Sequence, residues 1–166
     1  NGYFYVFRTL ITSTEGAGET VHDQLSRFEA SSIDPSVAVP ESEVVIFAQY
    51  DGSDEHNAGD VHSGPDGYLY VSLGEDLFLY GTGVTNRQAL DRKFHGAIIR
   101  IDVDKRPGSL PPNPHPAVTT NYAVPPDNPF IGITNYQGFS IEPNQLRTEF
   151  YAIGFRNPWR FCFDPL

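Results

Sequence analysis

The sequence predicts an all-β fold of short antiparallel strands, on three observations. Strand-like runs recur at intervals of about ten residues, bounded by Asp, Gly and Pro turns. The 166 residues include 15 Gly and 14 Pro, and that density of turn-formers favours many short elements over long helices. Two stretches also echo one another, "GDVHSGPDGYLYVSLG" and "GFRNPWRFCFDPL". Each runs from a polar loop through an aromatic strand to a turn containing Pro and Asp. Spacing alone leaves a sandwich, a barrel and a propeller open. Echoes of this kind are what radial blades of four strands produce, at a period of about 40–50 residues.

The elements follow in order. "GYFYVFRTLIT" alternates aromatic and β-branched residues, the pattern of a strand. "HDQLSRFEAS" and "SEVVIFAQY" are two more, joined by a polar loop containing Pro. "GDVHSG" and "YLYVSLG" flank Pro65-Asp66-Gly67, a turn in which Pro presets φ and Asp-Gly supplies left-handed positions. "NRQALDRKF" is the one plausible helix, and it is short. "GAIIRIDVD" is the clearest strand. A long proline-rich stretch from Lys105 to Gln145 reads as irregular, with "PPDNPF" as a rigid loop. "TEFYAIGF" and "WRFCFDP" close the chain as two final strands. The first strand has no lead-in and the last echo stops at its turn, so both ends read as cuts through a larger fold.

Eleven basic side chains against 21 acidic ones give a net charge of −10, which repels a phosphate backbone and argues against nucleic acid. No run of 18 apolar residues is present, so no membrane-spanning helix is expected, and no signal peptide is visible. Cys162 is the single cysteine, so no intrachain disulfide can form. Its aromatic neighbours make it a small buried hydrophobe.

His56 is the first candidate for chemistry. Asn57, Ala58 and Gly59 beside it are small, so a ligand could come close, and an imidazole near its ordinary pKa suits a general base. A solvated loop histidine is the plainer alternative. Glu75 lies at the return end of the hairpin, where one strand up and one down bring it to the same end of a sheet as His56. It could orient the imidazole, or stand as an exposed turn acid. Arg156 and Asn157, between Gly154 and Pro158, form a second constellation: the guanidinium fork binds carboxylates and the amide both donates and accepts. A structural Arg-Asn-Pro turn is equally open. Trp159 reads as core and His62 as a packing residue. His22, His95 and His115 lack partners at metal-ligand spacing, so no metal site is assigned. "DVDKRPGS" is a turn, because the EF-hand pattern does not continue.

In order, "NGYFYV", "HNAGDVHSGPDGYLYVSLGED", "IIRIDVD", "PPDNPF" and "GFRNPWRFCFDP" resemble the soluble pyrroloquinoline-quinone (PQQ)-dependent sugar dehydrogenases of the glucose/sorbosone dehydrogenase family. The resemblance implies a six-bladed β-propeller, of which residues 1–166 would form an incomplete domain of two to three blades, truncated at both ends. It implies an oxidoreductase that takes hydride from a sugar or polyol onto PQQ, with an electron acceptor it does not identify. His56 would be the general base and Glu75 its support, where the family often has Asp. Arg156 would join them in catalysis and, with Asn157 and His56, would contact the quinone. Ca²⁺ would be bound by ligands outside this chain. The remaining blades, or a partner chain, would close the fold, in the periplasm or after secretion. Ala58 stands where the family commonly has Gly, and "GED" replaces "GDG". The alternative is a catalytically idle propeller that binds protein or glycan partners.

Overall fold

A computed structural model describes residues 2–14, 18–75, 89–115 and 121–164. Among the described residues the chain is all-β, with antiparallel sheets, one short 3₁₀ turn at Pro40–Ser42 and no closed barrel, as a partial propeller requires. Strands β1 (Tyr3–Thr14), β2 (Gly18–Glu29) and β3 (Val44–Asp51) form a three-stranded sheet in that order. Strands β4 (Val61–Ser63), β5 (Leu69–Leu73), β6 (Ala97–Ile101) and β9 (Phe150–Ile153) form a four-stranded sheet in the order β4-β5-β6-β9. Between β6 and β9, strands β7 (Asn135–Tyr136) and β8 (Phe139–Ser140) make a separate hairpin. Four strands per sheet was the expectation, and among the described residues only the second sheet meets it.

Alternation explains the second sheet. Leu69, Val71 and Leu73 of β5 pair with Ile101, Ile99 and Ala97 of β6, and Phe150 of β9 pairs with Ile99. All seven are buried on one face. Across the core, Phe94 stacks edge-on between Phe47 of β3 (5.7 Å) and Phe150 of β9 (6.1 Å), joining the two sheets. The other face carries the cross-strand row His62, Tyr70 and Arg100.

Several local expectations are corrected by tertiary contacts. The proposed helix 86–94 extends outside the described residues at 86–88, and residues 90–94 are bend and not helix. Its backbone is satisfied from elsewhere: Phe94 N donates to Gln49 Oε1 (2.9 Å), and Leu90 O accepts from Arg147 N (2.7 Å). Residues 159–164 of "WRFCFDP" form no strand. Phe161 N donates to the Asp60 carboxylate (2.9 Å) rather than to a ladder, while Phe161 and Phe163 pack on His62 and Tyr70. Cys162 and Trp159 are exposed there, not buried. The stretch read as irregular contains the β7–β8 hairpin, whose two-residue loop Gln137-Gly138 has positive φ at both positions, as a type I′ turn demands.

Candidate functional site

The loop between β3 and β4 places His56 at the end of the second sheet. His56, Ala58 and Gly59 adopt positive φ (63°, 54° and 102°), which coils the loop tightly. The His56 carbonyl lies so close to Gly74 that a Cβ there would fall 1.3 Å from its oxygen. Only glycine permits this approach. On the other side, Glu75 N donates to Arg156 O (2.9 Å) and Gly96 N to Gly74 O (2.8 Å), while Gly154 N and Phe155 N both donate to Gly96 O. These bonds lace the ends of β5, β6 and β9 together and fix where His56, Glu75 and Arg156 emerge.

The structure brings those three side chains together. Glu75 Oε1 lies 3.6 Å from His56 Nδ1 and 3.2 Å from Arg156 Nε. The Glu75 side chain is 3% exposed, His56 15% and Arg156 59%. At 3.6 Å the imidazole is in ionic reach of the carboxylate but makes no hydrogen bond through Nδ1. Asn157 is not aimed outward: its Oδ1 is buried without a donor, on the inner side near Gly74. Chemically, the group is a buried carboxylate that holds an imidazole and a guanidinium at the mouth of the sheet. The described cluster offers one cation, Arg156, already turned toward Glu75.

Two polar groupings lay outside the residues singled out from sequence. One surrounds Asp23 and Asp51 below the His56 loop. Burial, and then the Asp51 charge and hydrogen bond, raise the Asp23 carboxyl to about 8, outweighing the amide and hydroxyl donors of Asn57 and Thr9. The other centres on Arg100, which reaches Asp66 (2.7 Å) from the β4–β5 turn and Asp127 (2.7 Å) from the "PPDNPF" loop. Tyr68 covers its guanidinium at 4.5 Å. Burial pushes Asp66 up, but bonds from Tyr68 N, Tyr70 Oη and Arg100 outweigh it and hold the carboxyl below its ordinary range. An arginine inside the apolar run "AIIRI" was a usable signal, because a charge on a buried strand needs partners.

No family model matches the chain. The chain is similar to HIPL1 protein of Arabidopsis thaliana, at 36% identity over 109 residues covering 66% of this chain and 14% of that protein. HIPL2 protein of the same plant is 38% identical over 111 residues, covering 65% of this chain and 14% of that protein. Hedgehog-interacting protein of Mus musculus is 26% identical over 169 residues, covering 99% of this chain and 20% of that protein. The chain thus spans about a seventh to a fifth of the curated relatives it matches. These names carry neither quinone nor dehydrogenase, and they overturn the expected quinoprotein sugar dehydrogenase, its oxidoreductase activity and its sugar or polyol substrate. The physical reason lies in the motifs. The glycines, the Pro-Asp-Gly turn and the strand mouths are what a propeller blade needs, so their order reported architecture and not chemistry.

Proposed function

We propose that this chain is an incomplete stretch of β-propeller, residues 1–166, that serves as a catalytically idle module for binding a protein partner. The observation that carries the reading is the similarity, along 99% of the chain, to a protein named for its interaction with another protein. The site agrees: the basic atoms His56 Nδ1 and Arg156 Nε face one internal carboxylate, an arrangement that shapes a loop. In this reading Glu75 holds His56 and Arg156 in place, and the outer guanidinium of Arg156 is presented to the partner. Arginine in that position is a frequent interface anchor. Further blades would close the propeller, and a secreted setting suits a module of this kind. Among the described residues, no helix is long and apolar enough to cross a membrane.

A Hedgehog protein is the first partner to test, by surface binding to the full-length protein. Arg156→Ala is expected to weaken the complex about tenfold or more, and an exposed change in the β2–β3 connection such as Ile33→Ser to leave it unchanged. Saturable binding of PQQ with Ca²⁺, accompanied by oxidation of any sugar in a panel, would overturn the reading.

A further inference from the structure

Two buried acids anchor the loop that carries His56. Asp23 lies opposite Gln49 in the β2–β3 ladder and Asp51 opposite Val21, so the carboxyls are diagonal neighbours on one face. Both are buried, at 0% and 1% exposure. Asn57 Nδ2 donates to Asp23 Oδ1 (3.0 Å) and Thr9 Oγ1 (2.9 Å), and the Thr9 hydroxyl donates to the same carboxylate oxygen (3.4 Å). Ser53 N donates to Asp51 Oδ1 (3.1 Å). The loop is therefore tied to Asp51 near its start and to Asp23 just past His56. Any separation of the two acids pulls its two anchors apart.

We propose that the Asp23–Asp51 pair is a proton-dependent latch for the 52–60 loop: with a shared proton it holds the loop shut, and when both acids are ionised it releases it. Among the described residues no amide or hydroxyl donor reaches Asp23 Oδ2, although that atom is buried. A proton on the pair supplies the missing donor and removes the repulsion between two neighbouring carboxylates. The groups that act on Asp23 are Asp51 from β3, Thr9 from β1 and Asn57 from the loop, and of these only Asp51 titrates. The basic side chains His22 of β2 and Lys93, from the segment beside β3, stack on the Tyr50 ring, which strand alternation turns to the opposite face from Asp51. The raised Asp23 carboxyl, about 8, places release just above neutral pH.

The linkage has a definite sign. The folded state keeps a proton that the unfolded chain gives up near the ordinary aspartate value of 3.8. The contribution of this pair to stability therefore declines as pH rises from about 4 to about 8, by up to about tenfold in the folding equilibrium per pH unit, and is level above that.

The test is an NMR titration of the full-length, ¹³C,¹⁵N-labelled protein between about pH 5 and 10. The Asp23 carboxyl carbon is expected to titrate with a midpoint near 8, and the Asn57 side-chain amide and Gly59 backbone amide to shift with the same midpoint. In Asp23→Asn, which keeps the shape without the charge, the loop signals should stay flat. Asp51→Asn should bring the Asp23 midpoint down by more than about one pH unit. An Asp23 midpoint in the ordinary carboxylate range overturns the latch, as does an unchanged midpoint in Asp51→Asn. The same holds for loop signals that titrate identically in Asp23→Asn. If a variant fails to fold, the wild-type carboxyl and loop-amide midpoints decide the matter together, and loop amides that do not follow the Asp23 midpoint overturn the latch.

Discussion

Gly74 has no room for a side chain, because the His56 carbonyl fills the space a Cβ would take. Gly74→Ala must push back either the loop or the end of β5, which are also held by Gly96 and Arg156. Destabilisation on the order of 3 kcal/mol or more is expected, read by denaturant unfolding. Ala58 is the converse case. Its φ of 54° is left-handed, which strains an L-residue by about 1–2 kcal/mol. Ala58→Gly relieves that strain but adds unfolded-state entropy of roughly 0.5–1 kcal/mol. The expected result is a gain of a few tenths to about 1 kcal/mol, visible as a higher Tm. A loss of stability in that variant would mean that the Ala58 methyl contributes packing worth more than the backbone strain.

At the scale of the element, strand β6 depends on Arg100. Its side chain is 5% exposed and ties the β4–β5 turn to the "PPDNPF" loop through Asp66 and Asp127, while Asn128 Nδ2 donates to its backbone carbonyl (3.0 Å). Asp127 is mostly exposed, so its share is small; Asp66, at 31% exposure, contributes more. Arg100→Ala should cost about 2–3 kcal/mol and lift the Asp66 carboxyl back toward its ordinary value. The sign follows from the depressed Asp66 group: its contribution is present above the ordinary carboxylate range and is lost as pH falls through the folded-state value. Comparing unfolding of wild type and Arg100→Ala at neutral and acid pH checks this, since the gap between them should narrow in acid. A gap that stays constant would assign the effect to lost packing on Tyr68. The β4–β5 hairpin beneath this hub was legible from sequence, because its turn is local. Pro65 presets φ, Gly67 takes a φ of 80°, and Gly64 N closes onto Tyr68 O (2.8 Å). The β7–β8 hairpin was not legible, because Gln137-Gly138 lacks the Asn or Asp that usually marks a type I′ turn.

At the scale of the whole molecule, the two larger described sheets leave four edge strands, β1, β3, β4 and β9. Strand β1 is 12 residues long and exposes Tyr3, Val6 and Ile11, and further apolar surface lies at Ile33, Phe139 and Trp159. Long edges with apolar side chains pair with other chains. The 166 residues expressed alone should therefore self-associate in sedimentation, with net charge −10 slowing the process and salt promoting it. A monodisperse monomer at high salt would show that these edges are already protected. Lys substitutions at Val6 and Ile11 should restore the monomer without unfolding the sheet.

What the sequence by itself determined was local: the all-β class, most strands, the Pro65-Asp66-Gly67 turn and the glycine positions that shape the loop around His56. Such features depend on φ preference and on alternation, which neighbouring residues specify. Long-range packing decided the rest. Phe94 gave up a helical turn to fill the space between two sheets, and the aromatic terminal segment left the ladder to cover His62 and Tyr70. The hairpin already put Glu75 at the same end of the sheet as His56, but only the fold set Arg156 on its other side, or Asp23 against Asp51, because residues far apart in the chain acquire a common environment only when the sheets close. Function was the least legible, since the motifs that build a blade are the same whether its loops carry out a reaction or hold a partner.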